Sequence, residues 1–366
     1  MLRPRVKPEH APYRISGGRI RLGGVSYGIA AEVKDPTGSV WTLLGCMDGT
    51  RTVEEIVARV LELHPDESAE SVRDGVELFI RSGYVEDAAS PDPAELTERD
   101  KERYGRGRMY FRWLDLTPRA NSWEPQLALR RARVTVVGVG GTGGIAALAL
   151  AASGVGRLHC VDHDTVELSN LNRQVLYGEE DIGLPKVEAA VRRLRRLNSD
   201  IEIDGRYLRI QGVDDVVALA EDCDVLLLAA DRPPELRIWT NRACLAAGRP
   251  WVDAGYHGPV GSVGTYVPGV SACWECLRAA QDERHRELGA NRDDAQRRSA
   301  AVANAVAAPS AGISGYLAAH AVLGLLTGVA PIPPGRIHGI NLSELAEPFV
   351  LDDLRRPDCP GCGESA

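Results

Sequence analysis

The sequence predicts an α/β protein: a mostly parallel sheet with covering helices and a C-terminal extension, preceded by a small α+β unit. Three observations carry this expectation. From Arg133 onward, short apolar strands alternate with amphipathic helices, the pattern of a parallel sheet. The first of those strands runs into the loop GVGGTGG (138–144) and then into an apolar helix. Residues 1–86 read differently, as short strands, three helices and a last strand. The 366 residues, 44% hydrophobic and 26% charged, suffice for two or three domains with a sizeable core.

In the N-terminal part, Ile15, Ile20 and Leu22, followed by the stretch 25–33, suggest a hairpin of short strands. SVWTLLGCMDG (39–49) reads as a helix closed by Gly49. Thr52-x-x-Glu55 is a capping box, in which the Thr side chain and the Glu side chain each satisfy a free backbone N–H. It opens a helix with Val53, Ile56, Val57, Val60 and Leu61 along one side. A third helix follows over 68–83, stopped by Gly83, with a final short strand at 84–85. This order is a winged-helix arrangement, expected over 1–86. The polar, Pro-containing stretch 87–100 is expected as a linker, and 101–366 as the second domain.

In that second domain the expected strands are RVTVVG, LHCVD, IEIDGRY, DVLLLAAD and PWVDAG, and GPVGSVGTYVPG after Gly258 suggests antiparallel strands. Residues 300–335 carry no Asp, Glu, Lys or Arg, but are rich in small residues and broken by Pro309 and by Pro331, Pro333 and Pro334. A buried helix or a subunit interface is expected there, not a membrane span. The N-terminal MLRPRVKPEH has no apolar signal region, so a soluble, cytoplasmic protein with no membrane partner is expected. A net charge of −8 argues against a nucleic-acid partner. The stretch 101–133 is locally basic, which suits either a solvated face or a contact with phosphate.

The glycine loop carries the first functional signal. Gly138, Gly140, Gly141 and Gly143 lie between a strand and a helix, where the backbone turns tightly and approaches a phosphate without a Cβ in the way. The N–H groups at the helix start then face the anion. Asp162 follows Gly141 by 21 residues, the place of a ribose-binding carboxylate in a Rossmann-type dinucleotide site. A dehydrogenase shares these features. It has no obvious use for the residues that come next: Asp164, then SNLNRQ (169–174), then Gly183-x-Pro185-Lys186, then Asp231 at the end of a strand. Arg173 offers a planar fork of donors and Lys186 a compact charge, both suited to phosphate oxygens. Asn170 can donate or accept, and Asp231 is placed to help hold Mg²⁺. Cys273-Trp-Glu-Cys276 and Cys359-Pro-Gly-Cys362 are two thiolate pairs with zinc spacing, expected to form a closed structural Zn²⁺ site.

These motifs, in this order over about 103–362, resemble the ThiF/MoeB/ubiquitin-activating family. The resemblance implies an enzyme that binds ATP and transfers AMP to a carboxylate, and it implies the same structural zinc. It also implies a homodimer, because an arginine before the first strand reaches the partner's site. ERYGRGRMYFRW (102–113) matches that pattern, with Arg106 as the candidate and Arg108 or Arg112 as alternatives. Many relatives carry an acyl-accepting cysteine before the late Ala-Pro pair. Here the matching position is Ala301, so no thioester is expected, and Cys160, Cys223 and Cys244 are expected in the core. The N-terminal part resembles the PqqD-like precursor-recognition fold, and the combination resembles microcin-type peptide-activating enzymes. The expected function is therefore ATP-dependent adenylation of a ribosomal precursor peptide, at its C-terminal carboxylate. Two alternatives are a non-catalytic leader-binding partner of a cyclodehydratase and an adenylyltransferase for a sulfur-carrier protein.

Overall fold

In the computed structural model, which describes residues 2–289 and 305–363, the chain folds as two units, Met1–Ala128 and Leu129–Ala366. In the first, β1 (Pro4–Val6) pairs antiparallel with β5 (Val85–Asp87). Between them, β2 (Tyr13–Ile15), β3 (Arg19–Leu22) and β4 (Ala31–Lys34) form a three-stranded antiparallel sheet. The helices α1 (Ser39–Cys46), α2 (Val53–Leu63) and α3 (Ala69–Arg81) follow. Their apolar sides meet in one core, with Ile20, Leu22, Ile56, Val60, Val72 and Phe79 all buried. The capping box forms as its sequence requires: Glu55 accepts the Thr52 N–H at 2.7 Å, and Thr52 accepts the Glu55 N–H at 3.4 Å.

Three details differ from the expectation. Only 31–34 of the stretch 25–33 and its neighbour is strand, because the preceding residues form a turn through Gly23, Gly24 and Gly28, all at positive φ. The helix over 39–49 ends at Cys46, and Gly49 lies beyond it at φ +86°. A 17-residue helix, α4 (Glu98–Leu114), begins inside the stretch expected as linker. Its capping box, Thr97 with Asp100, is the same signal as Thr52 with Glu55. It is hard to see because only Asp100, Tyr104 and Phe111 of this highly charged helix are buried. Arg112 fastens it, donating to both Glu9 carboxylate oxygens at 2.7 Å and to Glu86 at 3.1 Å.

α5 (Glu124–Arg131) runs across the boundary and leads into the second unit. There β6 (Arg133–Val137), β7 (Arg157–Asp162), β8 (Glu202–Tyr207), β9 (Val225–Leu228), β10 (Trp251–His257), β11 (Val260–Tyr266), β12 (Arg336–Asn341) and β13 (Phe349–Asp352) make one eight-stranded sheet. Its order is β13-β12-β11-β10-β9-β6-β7-β8. The five strands from β8 to β10 are parallel, and β10 to β13 pair antiparallel. The helices are α6 (Gly141–Ser153), α7 (Lys186–Leu197), α8 (Val213–Glu221), α9 (Leu236–Ala247), α10 (Trp274–Glu287) and α11 (Ala308–Thr327). α6 packs with α7 and α11, and α9 packs with α8 and α10. The chain moves one way from β6 and the other way from β9. These two strands are neighbours, with Val137 opposite Leu228, so the sheet has a topological switch point between them.

The uncharged stretch 300–335 contains α11, long and apolar enough by length and composition to cross a membrane. It packs instead on α6 and on β10 and β11. Small residues make that approach close: a Cβ on Gly315 would lie 2.6 Å from Ile145 Cβ and 2.6 Å from the Thr142 carbonyl. Thr142 Oγ1 and Ser314 Oγ share a buried hydrogen bond of 2.6 Å across the same contact. Ala301 and the rest of 290–304 lie outside the described residues.

Candidate nucleotide and metal sites

A cleft of about 1320 Å³ opens at the carboxyl ends of β6, β7 and β9, over the switch point. Its floor is the glycine loop. Gly138 has φ +87°, and a Cβ there would lie 2.7 Å from the Ala229 carbonyl. A Cβ on Gly143 would collide with the Gly138 carbonyl oxygen. These two glycines fold the loop. Gly140 and Gly141 have more room and line the cleft itself, just where α6 begins. The first N–H groups of α6 are therefore presented to whatever occupies the cleft.

Asp162 is 9% exposed at the end of β7. Its two carboxylate oxygens accept the Val139 N–H at 2.9 Å and the Asp164 N–H at 2.8 Å. It thus holds the glycine loop as well as lining the cleft. The Asp164 segment is in turn laced to the Lys186 segment: Lys186 N donates to Asp164 O at 2.9 Å, and Val166 N to Leu184 O at 2.9 Å. Lys186, 6% exposed at the start of α7, also donates from Nζ to Asp164 at 2.9 Å. An ammonium has three protons, so two remain for a ligand.

Arg173 lines the cleft and donates from Nη1 to the Ser169 carbonyl at 2.9 Å and to Asn172 at 3.0 Å. Its Nε, and Gln174 Oε1 beside it, are buried without a partner among the described residues. Both atoms are closed off from solvent, whereas other atoms of Arg173 and Gln174 line the cleft. Asn170 behaves differently from Arg173. It is 7% exposed, accepts the Glu167 N–H at 3.2 Å, and is not among the residues lining the cleft. Asn172, which sequence reasoning passed over, does line it.

Asp231 lies just past β9 with its side chain 61% exposed. Its Oδ1 accepts from Arg237 at 3.0 Å, while Oδ2 has no partner among the described residues. Arg237 also donates to Asp253 at 3.0 and 3.1 Å. Asp253 first, then burial, then Asp231 shape its ionisation, and the net effect holds the guanidinium charged. Neither Arg237 nor Asp253 was singled out from sequence. Asp253 had a visible signal, an acid inside an apolar strand, whereas Arg237 follows Asp231 by six residues with nothing to mark it. Arg209, Arg232 and Tyr256 also line the cleft.

Of the three candidate arginines on α4, Arg108 donates to Ser122 at 2.8 Å and stacks over Trp123, and Arg112 is spent on Glu9 and Glu86. Arg106 is exposed and has no partner among the described residues.

Cys273, Cys276, Cys359 and Cys362 are all buried, with their sulfurs within 4.8 Å of one another. The separations are 3.9 Å (Cys273–Cys276), 3.6 Å (Cys273–Cys359) and 3.5 Å (Cys276–Cys362). A tetrahedron with Zn–S bonds of about 2.3 Å puts sulfurs about 3.8 Å apart, so the donor set fits Zn²⁺. Asn241 Nδ2 donates to Cys273 Sγ at 3.5 Å, and Arg356 N to Cys276 Sγ at 3.5 Å. The other thiols are ordinary core groups. Cys160, Cys223 and Cys244 are each 0% exposed. Burial pushes Cys160 up to about 12 and Cys223 up to about 11, which keeps both protonated and unreactive.

Residues 115–361 match the ThiF family model. The adenylyltransferase and sulfurtransferase MOCS3 of Sus scrofa is 37% identical over 241 residues, 65% of this chain and 50% of that protein. The heterocyst protein HesA of Trichormus variabilis is 32% identical over 272 residues, 74% of this chain and 92% of that protein. The chain thus spans about half the length of the first of these and most of the second. Among solved structures, E. coli MccB superposes with a TM-score of 0.80 at 22% identity, covering 99% of this chain and 97% of that one. MccB has been solved with ATP and with MccA, and is described as a microcin C7 biosynthetic enzyme.

Proposed function

Because the chain belongs to the ThiF family, we propose that it is an adenylyltransferase that forms an acyl adenylate from ATP and a peptide carboxylate. One observation carries this. The glycine loop, Asp162, Arg173, Lys186 and Asp231 are spread over more than 90 residues of sequence, and all line one cleft. At about 1320 Å³ it exceeds the roughly 300–1,000 Å³ of common ligand pockets, leaving room for a triphosphate and the end of an acyl chain.

In this reading the phosphates lie over Gly140 and Gly141 at the start of α6. Arg173 and Lys186 hold their oxygens from the two sides. A carboxylate oxygen attacks the α-phosphorus, the bond to the β-phosphate oxygen breaks, and pyrophosphate leaves with the bonding pair. The attacking acid is already an anion, so positioning and charge neutralisation carry the catalysis and no general base is needed. Asp231, whose Oδ2 has no partner among the described residues, is the group that would hold Mg²⁺, which would supply further charge neutralisation at the phosphates.

The first unit supplies the peptide. Its winged-helix order resembles the PqqD-like recognition fold, and a peptide would add as a strand to an open sheet edge such as β2 or β4. The fold shared with MccB along nearly the whole chain, and the existence of MccB complexes with MccA, support this assignment. A homodimer is supported by Met109, Tyr110 and Trp113, exposed apolar residues beside Arg106 on α4. A relative named as a sulfur carrier protein ThiS adenylyltransferase favours a second reading, in which the acid belongs to a sulfur-carrier protein.

The test is ATP–pyrophosphate exchange driven by candidate acids. Exchange with a precursor peptide ending in a free carboxylate, lost on its C-terminal amide, is the expected result. Exchange driven only by a sulfur-carrier protein moves the chain to the second reading. No exchange with either sinks both.

A further inference from the structure

We propose that α9 is a strut that joins the four-thiolate centre to the nucleotide cleft, with Asn241 and Arg237 as its two positioning residues. The two lie one turn apart on α9, about 6 Å along its axis at ~1.5 Å per residue. At the cleft end, Arg237 donates to Asp231 at 3.0 Å and to Asp253 at 3.0 Å. At the metal end, Asn241 is 0% exposed and uses both halves of its amide. Nδ2 donates to Cys273 Sγ at 3.5 Å and to Glu275 at 2.9 Å, while Oδ1 accepts the Trp274 N–H at 3.1 Å.

The metal end is tightly packed. Arg242, the next residue of α9, donates to Glu275 at 3.0 Å. The C-terminal tail closes on the same group, since a Cβ on Gly361 would lie 2.5 Å from Glu275 Oε2 and 2.9 Å from Asn241 Nδ2. A tail position thus reaches α9 only when the second thiolate pair is seated. Loss of the metal frees 359–362, releases Asn241 from Cys273, and lets α9 shift. Arg237 moves with the helix, and Asp231, otherwise exposed and held by that one bond, loses its orientation. Groups that orient the ligands of a metal are commonly worth about 10–100-fold in metal affinity or activity. In this chain the same groups also set the geometry of a residue more than one helical turn away.

This rests on the nucleotide reading of the cleft, and the experiment separates the two. The full-length, zinc-loaded chain and its Asn241→Ala and Asn241→Asp variants are compared in two assays. The first is zinc release to a chromophoric chelator. The second is steady-state pyrophosphate exchange, with calorimetry of ATP binding. Asn241→Asp keeps the acceptor for Trp274 N–H but turns the donor into a carboxylate facing Glu275 and Cys273 Sγ, so it should release zinc at least as fast, and Arg237→Lys, at the other end of the helix, covers the case in which neither Asn241 variant folds. The expected result is zinc release faster by about tenfold, with kcat for exchange down by a similar factor and KM for ATP nearly unchanged. In an Arg237→Lys background, the same Asn241 change should add less than about twofold, because the strut is already disconnected. Faster zinc release with wild-type exchange overturns the coupling, and so does full additivity with Arg237→Lys. If the wild-type chain shows neither nucleotide heat nor exchange, the reading of the cleft fails instead.

Discussion

At the residue scale, charge decides the function. Arg173, Lys186 and Asp231 face one cleft, but each is partly committed beforehand, to Ser169 and Asn172, to Asp164, and to Arg237. That keeps the side chains in place without a ligand, so their reorganisation cost on binding is small. Arg173→Ala should lower pyrophosphate exchange by about 10³-fold or more, by analogy with other phosphoryl-transfer arginines, with the circular dichroism spectrum and melting temperature unchanged. Asp231→Ala should do the same and also weaken Mg²⁺ dependence. Retained exchange in either variant would remove that residue from the mechanism. Asn170→Ala should instead act on stability: it deletes the acceptor for Glu167 N–H, worth about 1 kcal/mol, read as a lower midpoint in urea. Gly138, Gly140, Gly141, Asp162, Asp164, Arg173, Lys186 and Asp231, read from residue type and spacing in the sequence, all line the cleft. Asn170 shows the limit. Spacing identifies the segment, but only the turn at 168–170 decides that Asn172, not Asn170, faces the cleft.

Elements were legible where local chemistry and periodicity agreed. The five parallel strands and the helix after the glycine loop lie where apolar alternation placed them. α4 was not legible, because its buried face is only Asp100, Tyr104 and Phe111 and its charges are satisfied by partners distant in sequence, such as Glu9. β1 was missed for a related reason: three residues have too little pattern, and pairing with β5 across 80 residues is a tertiary fact. Packing at this scale is testable on α11. Gly315→Leu drives a large side chain against Ile145 and the Thr142 carbonyl, and should destabilise the protein by about 1–3 kcal/mol, as overpacking does. Measured by urea unfolding, a neutral result would mean that α6 and α11 are not in close contact. The glycine loop answers to the same logic: Gly143→Ala pushes the Gly138 carbonyl out of the turn and should reduce nucleotide affinity before it unfolds the sheet.

For the whole molecule, the metal and the cleft define what holds the second unit together and what it does. Cys359 and Cys362 return a tail that follows β13 to Cys273 and Cys276 at the start of α10. Metal analysis of purified protein should find about one zinc per chain. Stripping it with a strong chelator should lower the unfolding midpoint, since a site of this kind contributes on the order of 10–16 kcal/mol of apparent binding energy. A metal-free chain of unchanged stability would overturn the assignment. Whether the separated side chains converge on a single triphosphate is decided by a crystal structure with a non-hydrolysable ATP analogue. The expected result is phosphates over Gly140 and Gly141, within hydrogen-bond reach of Arg173 and Lys186, and a metal ion against Asp231. An empty cleft at saturating nucleotide, or phosphates bound away from those side chains, would contradict it.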